Sequence, residues 1–229
     1  MIIDILTLFP NMFESVLNES ILKRARLNKL IKFNIHNLRD WSNNKHKTVD
    51  SSPYGGGAGM VLKVDVIDRA LASIKKKAKS NKIKIILLTP QGKTFNQKRA
   101  LELSKQKHIL LICGHYEGFD ERVRKLVDEQ ISIGDYVLTG GEIPAMAICD
   151  SIIRLIPGVL GNDASNKDES FSSENYTEYP QYTRPEIYRT LSKKYKNSLK
   201  VPKILLSGNH KAIKNWRQEQ STKRSKKHI

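Results

Sequence analysis

Cysteine is scarce in this sequence, and the chemistry that cysteine clusters support is not indicated. Cys113 and Cys149 are the only two, each lies in an apolar run, and neither belongs to a C-x-x-C motif or a Cys/His cluster. A disulfide framework and a zinc site are therefore not predicted, and no metal-ligand set can be assigned. We expect the protein to work in a reducing cytoplasm.

Long hydrophobic runs are also missing. The first ten residues lack a basic lead and carry Asp4 inside their apolar run, which argues against a signal peptide. The longest apolar region follows Ile143 and is interrupted by Asp150 and Arg154, so it is too broken for a membrane span. These absences predict a soluble protein with no membrane partner.

A glycine-rich segment at residues 52–60 matches neither common nucleotide-binding fingerprint. The Walker A loop needs a lysine and a hydroxyl residue after its last glycine, whereas Met60 and Val61 follow Gly59. A Rossmann fingerprint that starts at Gly55 needs a glycine where Met60 stands. A nicotinamide-dependent oxidoreductase is therefore disfavoured. We interpret the loop as substrate-facing or as part of an interface, with plain flexibility as the alternative.

Acidic residues are heavily outnumbered. The 229 residues include 23 Asp and Glu against 40 Lys and Arg, which gives a formal charge of +17. Binding of a polyanion is the simplest reason for so much self-repulsion, so nucleic acid is the leading partner. Compositional drift toward lysine is the alternative. The length suits one large domain with a smaller appendage.

Apolar periodicity predicts an α/β domain in the first two thirds of the chain. Strands are predicted at residues 2–9, 31–38, 83–88, 108–113 and 131–138, and they alternate with helices. Such alternation implies a mostly parallel sheet covered on both faces. Residues 161–184 are polar and aperiodic, which predicts a flexible linker or lid. Helices are then predicted at 185–195 and 210–220, before a basic tail.

Three predicted strand-to-helix junctions have unusual glycine or polar content: residues 89–92 (TPQG), 114–118 (GHYEG) and 133–141 (IGDYVLTGG). Glycines such as Gly134, Gly140 and Gly141 let main-chain N–H and C=O groups approach a small molecule closely. Ligands of open α/β sheets lie beyond the carboxyl ends of the strands. We therefore expect the three loops to converge on one pocket, although each loop alone reads equally well as a turn.

Together with further ordered motifs, these segments resemble bacterial tRNA (guanine-37-N1)-methyltransferases of the SPOUT superfamily. The motifs run through nearly the whole chain: Leu8-Phe-Pro10, Tyr54-Gly-Gly-Gly57, Thr89-Pro-Gln-Gly92, Cys113-Gly-His-Tyr-Glu-Gly118, Ser132-Ile-Gly-Asp-Tyr-Val-Leu138, Gly140-Gly-Glu142, Pro157-Gly-Val-Leu-Gly161, Tyr182-Thr-Arg-Pro185 and Leu206-Ser-Gly-Asn-His210. The resemblance implies a SPOUT-type α/β domain at residues 1–160 with a deep C-terminal trefoil knot. It further implies that residues 161–184 are the flexible linker and residues 185–229 a small α-helical tRNA-binding domain.

By the same resemblance, the methyl donor is S-adenosyl-L-methionine, bound among the knot loops. The family acts as a homodimer whose active sites are each completed by the neighbouring subunit. Carried over residue by residue, the cofactor pocket includes Leu88, Pro90, Gln91, Gly114, Tyr116, Glu117, Ile133, Gly134, Asp135, Tyr136, Val137, Leu138, Gly140, Gly141 and Pro144. Two acids that border these loops, Asp135 and Glu142, either hold a hydroxyl or the methionine amine or cap backbone groups.

Methylation of guanine at N1 needs a base to remove the N1 proton and a cation to stabilise charge that grows toward O6. The family's arginine maps onto Arg154. Its base, an aspartate before Ser-Phe, maps onto Glu169, because this chain reads Lys167-Asp-Glu-Ser-Phe171. We expect Glu169 to be the base, with Asp168 as a close alternative. The rival interpretation is a non-catalytic RNA-binding protein that retains the fold.

The resemblance also implies contacts with the anticodon arm of tRNA and a magnesium requirement. Candidate phosphate contacts are Arg24, Arg26, Lys45, Lys47, Arg184, Lys211, Arg217 and the basic tail. Glu117 is a candidate for placing the guanine or a magnesium ion. His46, His115 and His210 are interpreted as RNA-facing or structural.

Overall fold

A parallel sheet organises the larger part of the molecule. In chain order the strands are β1 (Ile2–Thr7), β2 (Lys32–Asn37), β3 (Asp50–Ser51), β4 (Val61–Leu62), β5 (Lys84–Thr94), β6 (His108–Cys113), β7 (Glu129–Ser132), β8 (Ile187–Tyr188) and β9 (Leu199–Lys200). Five of them form one sheet in the order β2-β1-β6-β5-β7, and every adjacent pair in it is parallel. The predicted α/β fold with a parallel sheet is thus confirmed.

The structure, a computed structural model, describes residues 1–78, 82–161, 169–171, 176–191 and 198–226. Its helices are α1 (Glu14–Leu17), α2 (Ser20–Leu27), α3 (Val64–Ala78), α4 (Gln97–Ser104), α5 (Glu142–Ile153) and α6 (His210–Ser225). Short 3₁₀ helices occur at Pro10–Phe13, Leu38–Trp41, Glu121–Leu126 and Lys203–Leu206. The chain divides into two units, Met1–Asp163 and Ala164–Ile229.

Side chains from the two faces of the sheet enter two separate apolar clusters. Along β6, Ile109 and Leu111 belong to the cluster that contains Ile148 and Ile152 of α5. The alternate residues of the same strand, among them Leu110, belong to the cluster built around α3. Because successive side chains of a strand point to opposite faces, these two clusters are the layers that cover the sheet.

Two neighbouring strands end at different places from those predicted. β5 extends to Thr94 rather than 88, and β7 occupies Glu129–Ser132 rather than residues 131–138. The chain leaves the sheet after β7 because Gly134 has φ +153 and its N–H is turned toward Ser132 Oγ at 3.2 Å. The predicted strand segment 133–138 is therefore wrong; it is a loop, which places its residues at the carboxyl edge of the sheet.

The second unit contains β8, β9 and α6. The predicted helix at 185–195 is wrong in its described part, since Ile187 and Tyr188 pair antiparallel with Leu199 and Lys200. The second predicted helix is present as α6, which begins where the Asn209 side chain accepts a hydrogen bond from Ala212 N at 3.0 Å. The described residues contain no helix with the length and hydrophobicity needed to cross a bilayer.

Candidate functional site

A cavity of about 400 Å³ opens beside the middle of β5, at residues 87–91, and beyond the carboxyl ends of β6 and β7. All three glycine-bearing junctions contribute to it, as expected from their positions in the sheet. Thirteen of the sequence-predicted cofactor residues line it: Leu88, Pro90, Gln91, Gly114, Tyr116, Glu117, Ile133, Tyr136, Val137, Leu138, Gly140, Gly141 and Pro144. Gly134 and Asp135 belong to the same loop but do not line the cavity.

The cavity also contains Thr89, from the predicted junction 89–92, and Arg124, which the sequence analysis did not single out. The Thr89 hydroxyl donates to Gln91 Oε1 at 2.8 Å, and Arg124 Nη2 donates to the same oxygen at 2.5 Å. Two donors therefore hold the Gln91 side chain in place. Arg124 comes from the 3₁₀ helix Glu121–Leu126, and no spacing in the sequence distinguished it from the many other basic residues.

The start of α5 lies directly against the end of β6, and glycine makes this approach possible. Gly141 N donates to Gly114 O at 2.8 Å. A Cβ at Gly141 would be 2.7 Å from both Cys113 Cα and Gly114 N, which is closer than carbon atoms can approach backbone. At Gly140 a Cβ would be 2.8 Å from His115 Nδ1. Bare main chain from two loops thus forms one wall of the cavity.

One buried polar atom in this wall has no partner. Among the described residues, nothing forms a hydrogen bond with His115 Nδ1, although the atom is buried. The imidazole ring is held by two aromatic neighbours, with ring centroids 4.8 Å from Phe9 and 4.9 Å from Tyr116. Buried polar atoms are nearly always paired in native proteins. The His115 nitrogen is therefore a group that a polar ligand can satisfy.

Glu142 is held by the protein and does not line the cavity. Its Oε1 accepts a hydrogen bond of 2.6 Å from the Thr7 hydroxyl, and both side chains are buried. Glu142 lies in the first turn of α5, where the helix dipole favours a negative charge. Its role, which the sequence left open, is thus to tie α5 to β1. Burial, together with the nearby Glu142 charge, raises the pKa of the Cys113 thiol well above its usual range.

The glycine-rich segment at 52–60 packs on the cavity loop that carries Glu117. Glu117 N donates to Met60 O at 3.0 Å, and Leu62 N donates to Gly118 O at 2.9 Å. Gly59 has φ +82, and a Cβ there would lie 2.4 Å from Glu117 Cγ. The segment is thus built against a cavity residue, while Tyr54 at its tip is fully exposed. Its substrate-facing role stays a prediction.

Arg154, the predicted cation, lies away from this cavity within the first unit. Arg154 is the C-cap of α5, and the helix begins at the cavity, so the twelve intervening residues separate the two by about 18 Å. Glu169 belongs to the second unit, where the Ser170 hydroxyl beside it accepts from Glu178 N at 3.0 Å. Asp168 lies outside the described residues.

Magnesium stays a prediction as well. Within the part of the chain that the structure describes, no group of three His, Cys, Asp or Glu residues is arranged to hold a metal ion. Glu117, the single carboxylate named for this role, lines the cavity, as do His115 and Glu121, but the three are not arranged as a metal-ligand group.

Comparisons with known proteins identify relatives along the full length of the chain. The sequence profile of a family described as tRNA (Guanine-1)-methyltransferase TrmD matches residues 1–228. Proteins named tRNA (guanine-N(1)-)-methyltransferase are similar to it: that of Bacillus pumilus is 54% identical over 224 residues, covering 97% of this chain and 88% of the relative. The Staphylococcus epidermidis protein is 56% identical over 219 residues, covering 95% and 84%. The Bacillus subtilis protein is 53% identical over 224 residues, covering 97% and 88%.

The match includes the cavity, the segment around Glu169 and the second unit. Relatives that are named as enzymes give no support to the rival interpretation of a non-catalytic RNA-binding protein. The chain belongs to the tRNA (guanine-1)-methyltransferase family.

Proposed function

We propose that this S-adenosylmethionine-dependent tRNA guanine-N1 methyltransferase modifies the guanosine at position 37, next to the anticodon. We further propose that it acts in the cytoplasm as a homodimer that engages the anticodon arm. The observation that carries the proposal is the convergence of three glycine-bearing loops on one cavity at the carboxyl edge of a parallel sheet. The two cysteines are free and buried, which fits a reducing compartment.

The cavity suits S-adenosylmethionine, which supplies a methyl group on a sulfonium centre. Apolar side chains such as Leu88, Ile133 and Leu138 can pack against the adenine and the aliphatic chain. Bare backbone at Gly140 and the His115 nitrogen, which has no partner in the described part of the chain, offer polar groups to the ribose or the amino-acid end. We assign the cofactor to the thirteen lining residues and keep Gly134 and Asp135 as residues that shape the same loop.

Two close backbone approaches support the proposed trefoil knot. β7 pairs with both halves of β5, so that Leu88 and Lys93 are both in register with Ile131. Between these two partners, a Cβ at Gly92 would lie 2.5 Å from Ile131 N. In the loop before α5, a Cβ at Gly141 would lie 2.7 Å from both Cys113 Cα and Gly114 N. Close approaches of backbone segments, made possible by glycine, are what a knotted chain needs.

For the reaction we propose Glu169 as the general base, with Asp168 as the alternative, and Arg154 as the donor to O6. Removal of the N1 proton makes the nitrogen nucleophilic, and the guanidinium stabilises the charge that develops on the oxygen. A glutamate reaches one methylene further than the family's aspartate, and the neighbouring Ser170 is itself held by Glu178 N.

Single-turnover methylation of a tRNA with guanosine at position 37 tests the base. Glu169→Gln should slow transfer by about 10²–10⁴-fold, because general-base catalysis contributes that much. Asp168→Asn is the matched control and should change the rate by no more than a few-fold. The reverse result would move the assignment to Asp168, and full rates in both variants would exclude a linker carboxylate as the base.

The homodimer proposal rests on the position of Arg154 and on exposed apolar side chains. Because Arg154 is about 18 Å along α5 from the cavity of its own chain, it can serve a second copy's cavity instead. The 3₁₀ helix Pro10–Phe13 packs against α5, and around it Met12, Val16 and Ile143 are 44%, 40% and 49% exposed. Apolar side chains exposed on adjoining elements are typical of an interface.

Mixed dimers test whether Arg154 acts across the interface. Arg154→Ala removes the arginine, and Leu138→Trp fills the cavity with an indole, so each variant alone should be inactive. Remixed in equal amounts under conditions that allow subunit exchange, they should recover about a quarter of wild-type activity, because half the dimers then contain one intact composite site. No recovery, with heterodimers verified by mass spectrometry, would show that Arg154 acts within its own chain.

A further inference from the structure

The second unit contains a cavity of its own, and none of its lining residues is assigned to methyl transfer or to the cofactor. It is open, has a volume of about 660 Å³, and lies between residues 179–186 and the side chains of α6 and of the 3₁₀ helix before it. All its lining residues belong to the unit Ala164–Ile229. The cavity is therefore a complete site within one unit.

Aromatic rings and a guanidinium form its mouth. Arg217 of α6 places its Cζ 4.8 Å above the ring centroid of Tyr179. Tyr182 is 48% exposed, and its ring lies 6.4 Å from that of Trp216. Tyrosine faces that are open to solvent yet held by neighbours are the platforms on which unpaired nucleobases stack in proteins that bind single-stranded nucleic acid.

The floor of the cavity is apolar. Val201, Leu205 and Ile213 line it and are half-buried, while Leu206 is 49% exposed at its edge. The 3₁₀ helix Lys203–Leu206 and α6 hold these side chains in position, with Asn209 capping α6 between them. An apolar floor below aromatic walls can receive a flat heteroaromatic ring, whose face is poorly hydrated.

The charges around the cavity favour an anionic ligand. Arg184 lines it and has no hydrogen-bond or ion-pair partner among the described residues. Glu186 also lines the cavity, but from Pro185 onward the sequence contains only one further acid, Glu219, among many lysines and arginines. Glu219 is paired with Lys223 at 2.6 Å. An unpaired arginine beside a stacked one matches a phosphate attached to a flat base.

We propose that this cavity binds one unstacked nucleotide of the tRNA, outside the guanosine that is methylated. The base stacks on Tyr182 above the apolar floor, and Arg184 and Arg217 contact its flanking phosphates. The proposal rests on the tRNA methyltransferase function and deepens it, because the second unit then holds a nucleotide instead of only following the phosphate backbone.

Ultraviolet crosslinking of the wild-type protein tests the site directly. The full chain bound to substrate tRNA is irradiated, digested with nuclease and protease, and analysed by mass spectrometry. We expect a nucleotide adduct on Tyr179 or Tyr182, because bases stacked on aromatic rings crosslink efficiently. Adducts on other peptides, with none on residues 179–217, would overturn the proposal. This experiment needs no variant, so misfolding cannot obscure it.

Direct tRNA binding by variants supplies the second test. Tyr182→Ala should raise the Kd for tRNA about tenfold, and Tyr182→Phe should keep near-wild-type affinity, because a stacked base needs only the ring. Equal weakening by both would overturn the stacking argument. Arg184→Gln should weaken binding and lower the salt slope by about one, as expected for one lost phosphate contact.

Matched controls separate this site from the methyl-transfer site. Arg189→Gln removes another exposed arginine of the same unit that does not line the cavity, and it should leave the Kd within twofold. If it weakens tRNA binding as much as Arg184→Gln does, the loss reflects general charge and not this cavity. All variants should bind S-adenosylmethionine normally. If the wild type binds tRNA but transfers no methyl group to guanosine 37, the proposed position falls, while the nucleotide site is still judged by these affinities.

Discussion

At the scale of single residues, glycines that cannot be told apart in the sequence have different structural roles. Gly141 and Gly92 face backbone at distances where a Cβ cannot fit, whereas a Cβ at Gly161 would meet nothing within 4 Å. Sequence reasoning placed Gly141 at the cofactor because glycine exposes main chain. The structure adds that its missing side chain also lets α5 contact β6.

Gly141→Ala therefore should damage folding and cofactor binding together. The added carbon cannot be accommodated by backbone, so we expect a loss of about 1–3 kcal/mol in the free energy of unfolding and much weaker S-adenosylmethionine binding. Urea denaturation and calorimetric titration measure the two effects. Gly161→Ala is the matched control and should change neither. A Gly141→Ala protein with wild-type stability would contradict the packing described here.

At the scale of elements, local sequence patterns predict that a strand or helix is present. Where it begins and ends depends on the strands and helices that pack beside it. β5 continues past residue 88 because β7 offers a second set of partners at Lys93 and Thr94, a pairing that no local period reveals. β8 replaces a predicted helix because Leu199 and Lys200 pair with it. α6, in contrast, is marked in the sequence by the asparagine that caps it.

The cap of α6 gives a prediction at this scale. Asn209→Ala should destabilise α6 by about 1 kcal/mol, the usual value of an N-cap hydrogen bond. Native-state hydrogen exchange should then be faster in α6 and unchanged in β6 of the other unit. Asn209→Asp retains the acceptor and should exchange like the wild type. Unchanged protection of α6 in the alanine variant would show that packing alone sets the start of the helix.

At the scale of the whole molecule, a buried carboxylate joins three strands that are far apart in sequence. Asp4 of β1 accepts from Asn34 Nδ2 at 2.9 Å and from His36 Nε2 at 2.7 Å in β2, and it also contacts His108 of β6. Burial alone raises the pKa of Asp4, but these three hydrogen-bond partners outweigh burial, so its pKa lies below the usual value.

This shift predicts how stability depends on pH. Because the pKa of Asp4 is lower in the folded than in the unfolded chain, Asp4 stabilises the fold above the unfolded value of about 4 and loses that contribution as the pH falls through the folded value. Asp4→Asn should thus be less stable than the wild type at pH 7, with a gap that narrows toward pH 3. Urea unfolding at several pH values measures it, and a gap independent of pH would exclude Asp4 as the titrating group.

Local sequence patterns are sufficient to predict the parallel α/β class, the order of the five strands along the chain and the three loops of the cavity. These follow from apolar periodicity and from glycines at strand ends, which are local properties. The family resemblance named most of the lining residues without showing where they lie.

Which residues come into contact depends on how the elements pack. Packing brings Arg124 to Gln91, leaves a buried nitrogen of His115 with no hydrogen-bond partner among the described residues, buries Glu142 against Thr7 and places Arg154 at the far end of α5. No sequence periodicity predicts these arrangements, because each depends on segments whose distance in space is fixed by the packing of other elements. The second cavity likewise exists only because residues 179–186 fold back beside α6.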